Sequence, residues 1–216
     1  MEHIVKILAI HQVTHNVKSF KIEKPAGYVF TPGQATDVSI NKQGWENELR
    51  PFTFTCLNED AYLEFTIKGY KDHKGVTNQL HLLEVGDELI IRDVWGAISY
   101  KGVGYFIAGG AGITPFIAIL RQLKKDNKIQ GNKLFFSNKT TADIILKDEL
   151  LNMLGKDAIF LCTEEDKQHI DETFIKKEVS DFTRHFYVCG PDKMISDIND
   201  ILKGMGVSPD TLVFEK

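Results

Sequence analysis

Gly109-Gly110-Ala111-Gly112-Ile113-Thr114-Pro115 joins two unlike segments. Before it, Tyr105-Phe106-Ile107-Ala108 is apolar and reads as a buried strand; after it, Phe116-Ile117-Ala118-Ile119-Leu120 has the length and polar flanks of a helix. The glycines therefore occupy a strand-to-helix turn. Lacking Cβ atoms, they let backbone approach a flat or anionic ligand, and the new helix offers free N–H groups and the positive end of its dipole to a phosphate. The same residues also suit an ordinary tight bend, and Pro115 stands where the dinucleotide fingerprint G-x-G-x-x-G has its third glycine.

Downstream of the turn, strand candidates at 105–108, 133–137, 158–162, 185–189 and 211–214 alternate with helix candidates at 115–125, 144–154, 171–179 and 192–205. That alternation predicts an α/β domain, a parallel sheet with helices on both faces. Upstream the pattern is different. Short segments rich in β-branched and aromatic residues at 4–9, 17–22, 36–40, 52–55, 62–67 and 88–92 are separated by turn formers such as Pro32-Gly33, Asn58-Glu59-Asp60 and Gly86-Asp87. They predict a small closed antiparallel β-barrel. One short helix is expected among them, with Thr77 as N-cap before Leu80, Leu82 and Leu83. Two domains follow, 1–100 and 101–216, with the boundary at Tyr100-Lys101-Gly102.

The chain's 216 residues suit two domains of about 100 residues, each able to bury a core. No window approaches the roughly 20 uninterrupted apolar residues of a membrane helix, so no membrane insertion is expected. The start, Met1-Glu2-His3-Ile4-Val5-Lys6, has no signal-peptide core, and the expected location is cytoplasmic. A net charge of −4 argues against nucleic acid as a partner. Cys56, Cys162 and Cys189 are scattered, which gives no disulfide framework and too few thiolates for an all-cysteine iron–sulfur cluster. Any electron carrier must then be organic or borrowed. His11 and His15 lie between strand candidates with no third ligand, so no metal site is expected.

In the barrel half, Arg50-Pro51-Phe52-Thr53-Phe54-Thr55 concentrates unlike groups on one strand. Alternation sends Arg50, Phe52 and Phe54 one way and Pro51, Thr53 and Thr55 the other, unless a ligand runs along the strand edge. Arg50 suits a phosphate, Phe52 an aromatic ring, and Thr53 the heteroatoms of such a ring; an amphipathic strand with a solvated arginine is the alternative. Ile67-Lys68-Gly69-Tyr70 then leads through Lys71-Asp72-His73-Lys74-Gly75-Val76 to Thr77. Free N–H groups near Gly75, Val76 and Thr77, with the charge of Lys68, suit a diphosphate, and a capped helix after a solvated loop is the plainer reading. In parallel sheets ligands bind at the carboxyl ends of the strands where strand order reverses. Cys189-Gly190-Pro191 is the second such turn, and Cys189 also reads as a buried structural cysteine.

Taken together and in this order, Arg50-x-Phe52-Thr53-x-Thr55, Lys68-x-Tyr70, Thr77 at a helix start, the Gly109 turn and Cys189-Gly190-Pro191 resemble the ferredoxin-NADP reductase superfamily. The resemblance includes its NADH-cytochrome b5 reductase-like and flavodoxin reductase-like branches, without an iron–sulfur domain, and covers nearly the whole chain. It implies a flavin in the barrel and a nicotinamide nucleotide in the second domain. Arg50 would hold flavin phosphate beside Pro51, Phe52 would pack on the isoalloxazine where the family usually has tyrosine, and Thr53 would reach flavin N5. Thr55, Ile67, Lys68, Tyr70, Gly75, Val76 and Thr77 would line the rest of the flavin and its diphosphate. Gly110, Gly112, Thr114, Gly190 and Pro191 would face the nucleotide, with Cys189 close to the nicotinamide; Thr53 and Cys189 are the expected catalytic residues.

Two departures bear on the flavin site. Phe52 lacks the phenol hydroxyl, and the usual glycine and cation before the helix are displaced as Lys74-Gly75. FAD is the expected flavin, with FMN an alternative. By the same resemblance, hydride passes from NADH or NADPH to flavin, and electrons pass singly to a separate ferredoxin, flavodoxin or oxygenase component. Reduction of a small acceptor such as free flavin or quinone, and a non-catalytic electron-transfer subunit, are the alternatives. Glu215 either borders the nicotinamide pocket or is a solvated chain end. Glu164, in Thr163-Glu164-Glu165-Asp166, would accept a hydrogen bond from a ribose 2′-hydroxyl and favour NADH; Ser137-Asn138-Lys139-Thr140-Thr141 offers a cation and hydroxyls for a 2′-phosphate.

Overall fold

Alternating burial along the first part of the chain builds six strands, β1 (His3–Thr14), β2 (Val17–Glu23), β3 (Ala35–Ile40), β4 (Arg50–Thr53), β5 (Tyr62–Lys68) and β6 (Glu88–Trp95). In β1, Val5 and Ile7 are buried while Ile4, Lys6 and Leu8 are exposed, the period-two pattern of a strand with one face on a core. The structure, a computed structural model, describes residues 1–70 and 75–214. Lys71 to Lys74 and Glu215, named above, lie outside the described residues.

All pairings in this sheet are antiparallel, in the order β4-β3-β6-β1-β2-β5. A bridge between Phe54 and Phe65 joins the two edges and curls the sheet into the barrel. The Phe54 ring fills its centre, 5.1 Å from Phe65 and 4.4 Å from Phe30. A fully buried phenylalanine contributes about 1.5–3 kcal/mol relative to an exposed one. The short helix α1 (Val76–Leu80) begins earlier than expected: its N-cap is Gly75, in extended conformation, rather than Thr77. Starting at Val76 puts Val76 and Leu80, one turn apart, on the barrel core, and burial of that pair outweighs the hydroxyl cap.

The second sheet has strands β7 (Gly104–Gly109), β8 (Lys133–Asn138), β9 (Ala158–Cys162), β10 (His185–Cys189) and β11 (Leu212–Phe214). They run parallel in the order β11-β10-β7-β8-β9. Helices α2 (Thr114–Lys125), α3 (Lys147–Leu154), α4 (Glu172–Glu178) and α5 (Asp192–Gly204) cover both faces. Every residue of β7 is buried as a result. Phe106 and Ala108 share a core with residues of α2 and α3, and Tyr105 and Ile107 share one with α4 and α5. Helix α3 starts at Lys147 rather than at 144. Thr140 and Asp143 cap each other reciprocally and close a 3-10 turn over Thr141–Asp143, which turns the chain before the helix can start.

The two halves share an apolar contact. Val17 of β2 is buried in the same cluster as Phe116 and Leu120 of α2 and Ile98 of the connecting segment. Gly33 is wedged there: a Cβ on it would lie 3.1 Å from Ile119 Cδ1. Among the described residues no helix is long and apolar enough to cross a membrane, and no group of three or more His, Cys, Asp or Glu could hold a metal ion.

Candidate functional site

From β7 the chain proceeds to β8 and β9 on one side and then returns to β10 on the other, so strand order reverses between β7 and β10. Parallel sheets open a crevice at the carboxyl ends of strands at such a point. Here the turns after both strands are glycine-rich because they touch. A Cβ at Gly112 would overlap the Cys189 carbonyl oxygen and stand 2.6 Å from Gly190 N, and one at Gly109 would run into Met194 and Pro191. Gly110 differs: its φ is +53°, and nothing lies within 4 Å of the position its Cβ would take. Contact between turns thus accounts for Gly109 and Gly112, whereas Gly110 keeps a space open.

That space is a cleft of about 480 Å³. Gly109, Gly110, Ala111, Gly112, Gly190 and Pro191 form its floor, and Met194 of α5 closes one side. Ser137, Asn138 and Lys139 after β8 and Thr163 after β9 form another wall. Lys68 and Tyr70 line it from the barrel, and Asp143 from the second domain. Asn138 is only 5% exposed, yet neither its side-chain oxygen nor its nitrogen has a partner among the described residues. Leaving a buried polar group unpaired costs about 1–3 kcal/mol. A polar ligand in the cleft would offset that cost, and a nucleotide carries the donors and acceptors to do so.

The charges at the mouth are sorted by their partners. Burial would raise the Asp143 carboxyl, but the hydroxyl and N–H of Thr140 and the charges of Lys68 and His15 hold it below the usual range. His15 Nε2 lies 3.7 Å from Asp143 Oδ1, so a barrel turn meets the second domain here. Of the acidic run after β9, Glu165 accepts from the hydroxyl and N–H of Thr141 at 2.6 and 3.0 Å, and Asp166 accepts from Cys162 N and Gln168 N. Glu164 alone pairs with a cleft residue: its Oε1 lies 3.6 Å from Lys139 Nζ.

On the barrel side, β4 pairs with β3 along one edge, and its other edge from Arg50 to Thr53 carries no ladder. Arg50 is exposed, and among the described residues its guanidinium donates only to the neighbouring Leu49 carbonyl, at 2.6 Å. Pro51 is exposed beside it; the half-buried Phe52 packs with its ring centre 6.2 Å from that of Phe65. Thr53 is half-buried, and among the described residues its hydroxyl has no partner. Thr55 is fully buried, its hydroxyl donating to Glu64 Oε1 at 2.8 Å, and Ile67 lies in the barrel core while its carbonyl accepts from His81 Nε2 at 2.9 Å. Gly75 and Thr77 are half-buried and Val76 is buried in the barrel core.

The cleft therefore gathers Lys68, Tyr70, Gly110, Gly112, Gly190 and Pro191, and its wall does not include Arg50, Phe52, Thr53, Gly75, Thr114, Glu164 or Cys189. The Thr114 hydroxyl donates to the Ala111 carbonyl at 3.0 Å and locks the turn to the helix. Met194 and Asp143 were not singled out from sequence. A methionine on an amphipathic helix reads as core, and an aspartate in a polar run reads as a cap.

The fold thus pairs a barrel with one unladdered strand edge and a glycine-floored cleft at the switch point of a parallel sheet, with the barrel's Lys68 and Tyr70 in the cleft wall. Residues 106–200 match the family model of the oxidoreductase NAD-binding domain. The NADH-cytochrome b5 reductase 2-A of Vanderwaltozyma polyspora is 30% identical over 86% of this chain and 70% of its own length. The reductase component of propane 2-monooxygenase from Rhodococcus jostii is 26% identical over 98% of this chain, which spans 62% of that relative's length. The ferredoxin NADP+ reductase from Neisseria gonorrhoeae, solved with bound FAD and NADP, superposes with a TM-score of 0.85 at 19% identity, covering 99% of this chain and 98% of that one. The chain belongs to the ferredoxin-NADP reductase family of flavin-dependent NAD(P)H oxidoreductases, whose cofactors are FAD and a nicotinamide nucleotide.

Proposed function

We propose that this protein takes electrons from a nicotinamide nucleotide bound in the cleft and delivers them, through FAD held by the barrel, to a separate acceptor protein such as a ferredoxin, a flavodoxin or an oxygenase component. The observation that carries this is the cleft itself, which has both domains in its walls: Lys68 and Tyr70 of the barrel line it together with Gly110 and Asn138 of the second domain. When bound, FAD would accept hydride from NAD(P)H and release electrons one at a time.

The chain's own residues bind and orient. Arg50, with its guanidinium turned to solvent, would hold flavin phosphate, and Phe52 would cover the ring system along the unpaired edge of β4. The Thr53 hydroxyl would bond the flavin ring, and Lys68, Tyr70, Gly75 and Thr77 would hold the diphosphate end. Gly110, Gly112, Thr114, Gly190 and Pro191 would carry the nucleotide, with Asn138 bonding it and Cys189 beside the nicotinamide. Glu164 favours a ribose 2′-hydroxyl over a 2′-phosphate, so NADH is the preferred donor. The domain boundary falls at Tyr100-Lys101, and the location is cytoplasmic.

Stopped-flow spectroscopy tests this. The purified protein is expected to be yellow, to bleach with NADH faster than with NADPH, and to reoxidise rapidly with a protein acceptor. Rapid turnover with free flavin or quinone alone would replace the protein acceptor with a small one, and a colourless or unbleached protein would rule out a reductase.

A further inference from the structure

Arg121 lies on α2, two turns beyond Thr114 and about 10 Å further along the helix axis. Its guanidinium spans three segments. Nη1 donates to the Thr55 carbonyl oxygen at 2.6 Å and to Glu64 Oε1 at 2.9 Å, both in the barrel. Nε and Nη2 donate to the two carboxylate oxygens of Glu149 on α3, at 2.6 and 2.9 Å. Glu64, 7% exposed, is also fixed from the barrel side, since its Oε1 accepts from the Thr55 hydroxyl. Burial acts to lower the Arg121 pKa, but the bonds and charges of Glu149 and Glu64 more than offset it and raise the pKa above the ordinary arginine value, so the group stays charged.

The place of this fork matters more than its strength. Thr55 is two residues beyond Thr53 on the same chain segment, and α2 starts from the glycine turn that floors the cleft. Besides this fork the halves meet through an apolar contact, Val17 and Ile98 against α2, and through two single-point polar contacts, Lys125 with Glu59 and His15 with Asp143. Apolar burial is non-directional and lets surfaces slide, whereas a planar guanidinium with four hydrogen bonds in fixed directions does not.

We propose that Arg121 is a positioning residue: it registers the segment bearing Thr53 against the helix that follows Gly110–Ile113, and so sets how the nicotinamide meets the flavin. This rests on the two-ligand reading above. Lysine cannot replace it, because a single ammonium satisfies one carboxylate and leaves the other buried contacts open.

The test uses Arg121→Lys, Arg121→Met, and Arg121→Met combined with Glu64→Gln and Glu149→Gln, the last removing the carboxylates that would otherwise be stranded. In the FAD-loaded protein, flavin reduction at saturating NADH is expected to slow ~10–100-fold, the size of effect an ångström-scale misplacement produces, with the half-saturating NADH concentration within about threefold of the parent. In the cofactor-free protein, spin labels at Leu82→Cys and Ser196→Cys in a Cys189→Ser background should show a broader distance distribution between the domains when Arg121 is replaced. Parental reduction rates with a parental distance distribution overturn the proposal, as does a slowing matched by an equal loss of NADH affinity. If the parent is itself not reduced by NADH or NADPH, the two-ligand reading fails instead, and the distance measurement alone decides whether Arg121 holds the domains in register.

Discussion

Gly112 and Cys189 are in backbone contact: a Cβ on Gly112 would overlap the Cys189 carbonyl oxygen and lie 2.6 Å from Gly190 N. A methyl there must push β7 and β10 apart. Gly112→Ala is therefore expected to destabilise by about 1–3 kcal/mol, as overpacking does, and to abolish NADH binding. Gly110→Ala meets open space and carries only the strain of its left-handed φ, about 1–2 kcal/mol, so the fold should survive while nucleotide affinity drops. Thermal unfolding and NADH titration of the two variants separate turn packing from ligand contact.

Arg50→Ala should loosen the flavin and leave the barrel intact, because among the described residues the exposed guanidinium holds nothing but the adjacent Leu49 carbonyl. A weaker FAD dissociation constant with an unchanged circular dichroism melt of the cofactor-free protein is the expected pair of results. Thr53→Ala should slow flavin reduction more than it weakens flavin binding; reduction at the parental rate would remove Thr53 from the flavin ring.

Nucleotide preference is expected to turn on Glu164 and Lys139, whose exposed ion pair at 3.6 Å is worth no more than about 1 kcal/mol. Glu164→Gln should raise the NADPH to NADH ratio of kcat/KM by about fivefold, the ratio that ~1 kcal/mol provides, and Lys139→Ala should lower it. Steady-state kinetics with both donors measures this directly.

His81 gives the barrel a dependence on pH. Burial lowers its pKa, Lys18 adds to the lowering, and the bond to the Ile67 carbonyl opposes both, leaving a net depression. The folded protein then binds fewer protons than the unfolded chain, whose histidine titrates near 6.5. Stability is full above that value and falls as pH drops through ~6.5 toward the lower folded pKa. The melting temperature should decline between about pH 7.5 and 5.5, and His81→Gln should flatten the decline. The segment held by His81, Ile67 and Lys68, leads into the cleft.

The elements legible in the sequence are those whose cause is local. Ala158–Cys162 and His185–Cys189 lie where their apolar runs put them, and the glycine turn after β7 falls between a buried strand and a helix. The starts of α1 and α3 differ from those the sequence predicts because their determinants are not helix-forming residues. Gly75 caps with bare backbone and Thr140 with Asp143 closes a 3-10 turn first. Asn138 stands in a polar run, but nothing local says that its side chain is buried with no partner among the described residues. Arg121 was invisible for a different reason: Glu64 and Glu149 are 57 and 28 residues away from it in sequence, and only the packing of α2 across both domains joins them.

The position of β10 next to β7 orders events during synthesis. On the ribosome the amino-terminal part of a chain folds first. Thr55, Glu64 and Arg121 all precede β8 in the chain, so the barrel can engage α2 while the last strands of the second sheet are still to come. Gly190 and Pro191 of the cleft, and the Cys189 carbonyl that Gly112 packs against, arrive only with the last strands, and until then the glycine turn has no partner surface. The nascent protein thus acquires its flavin-side scaffold well before it can receive an electron donor.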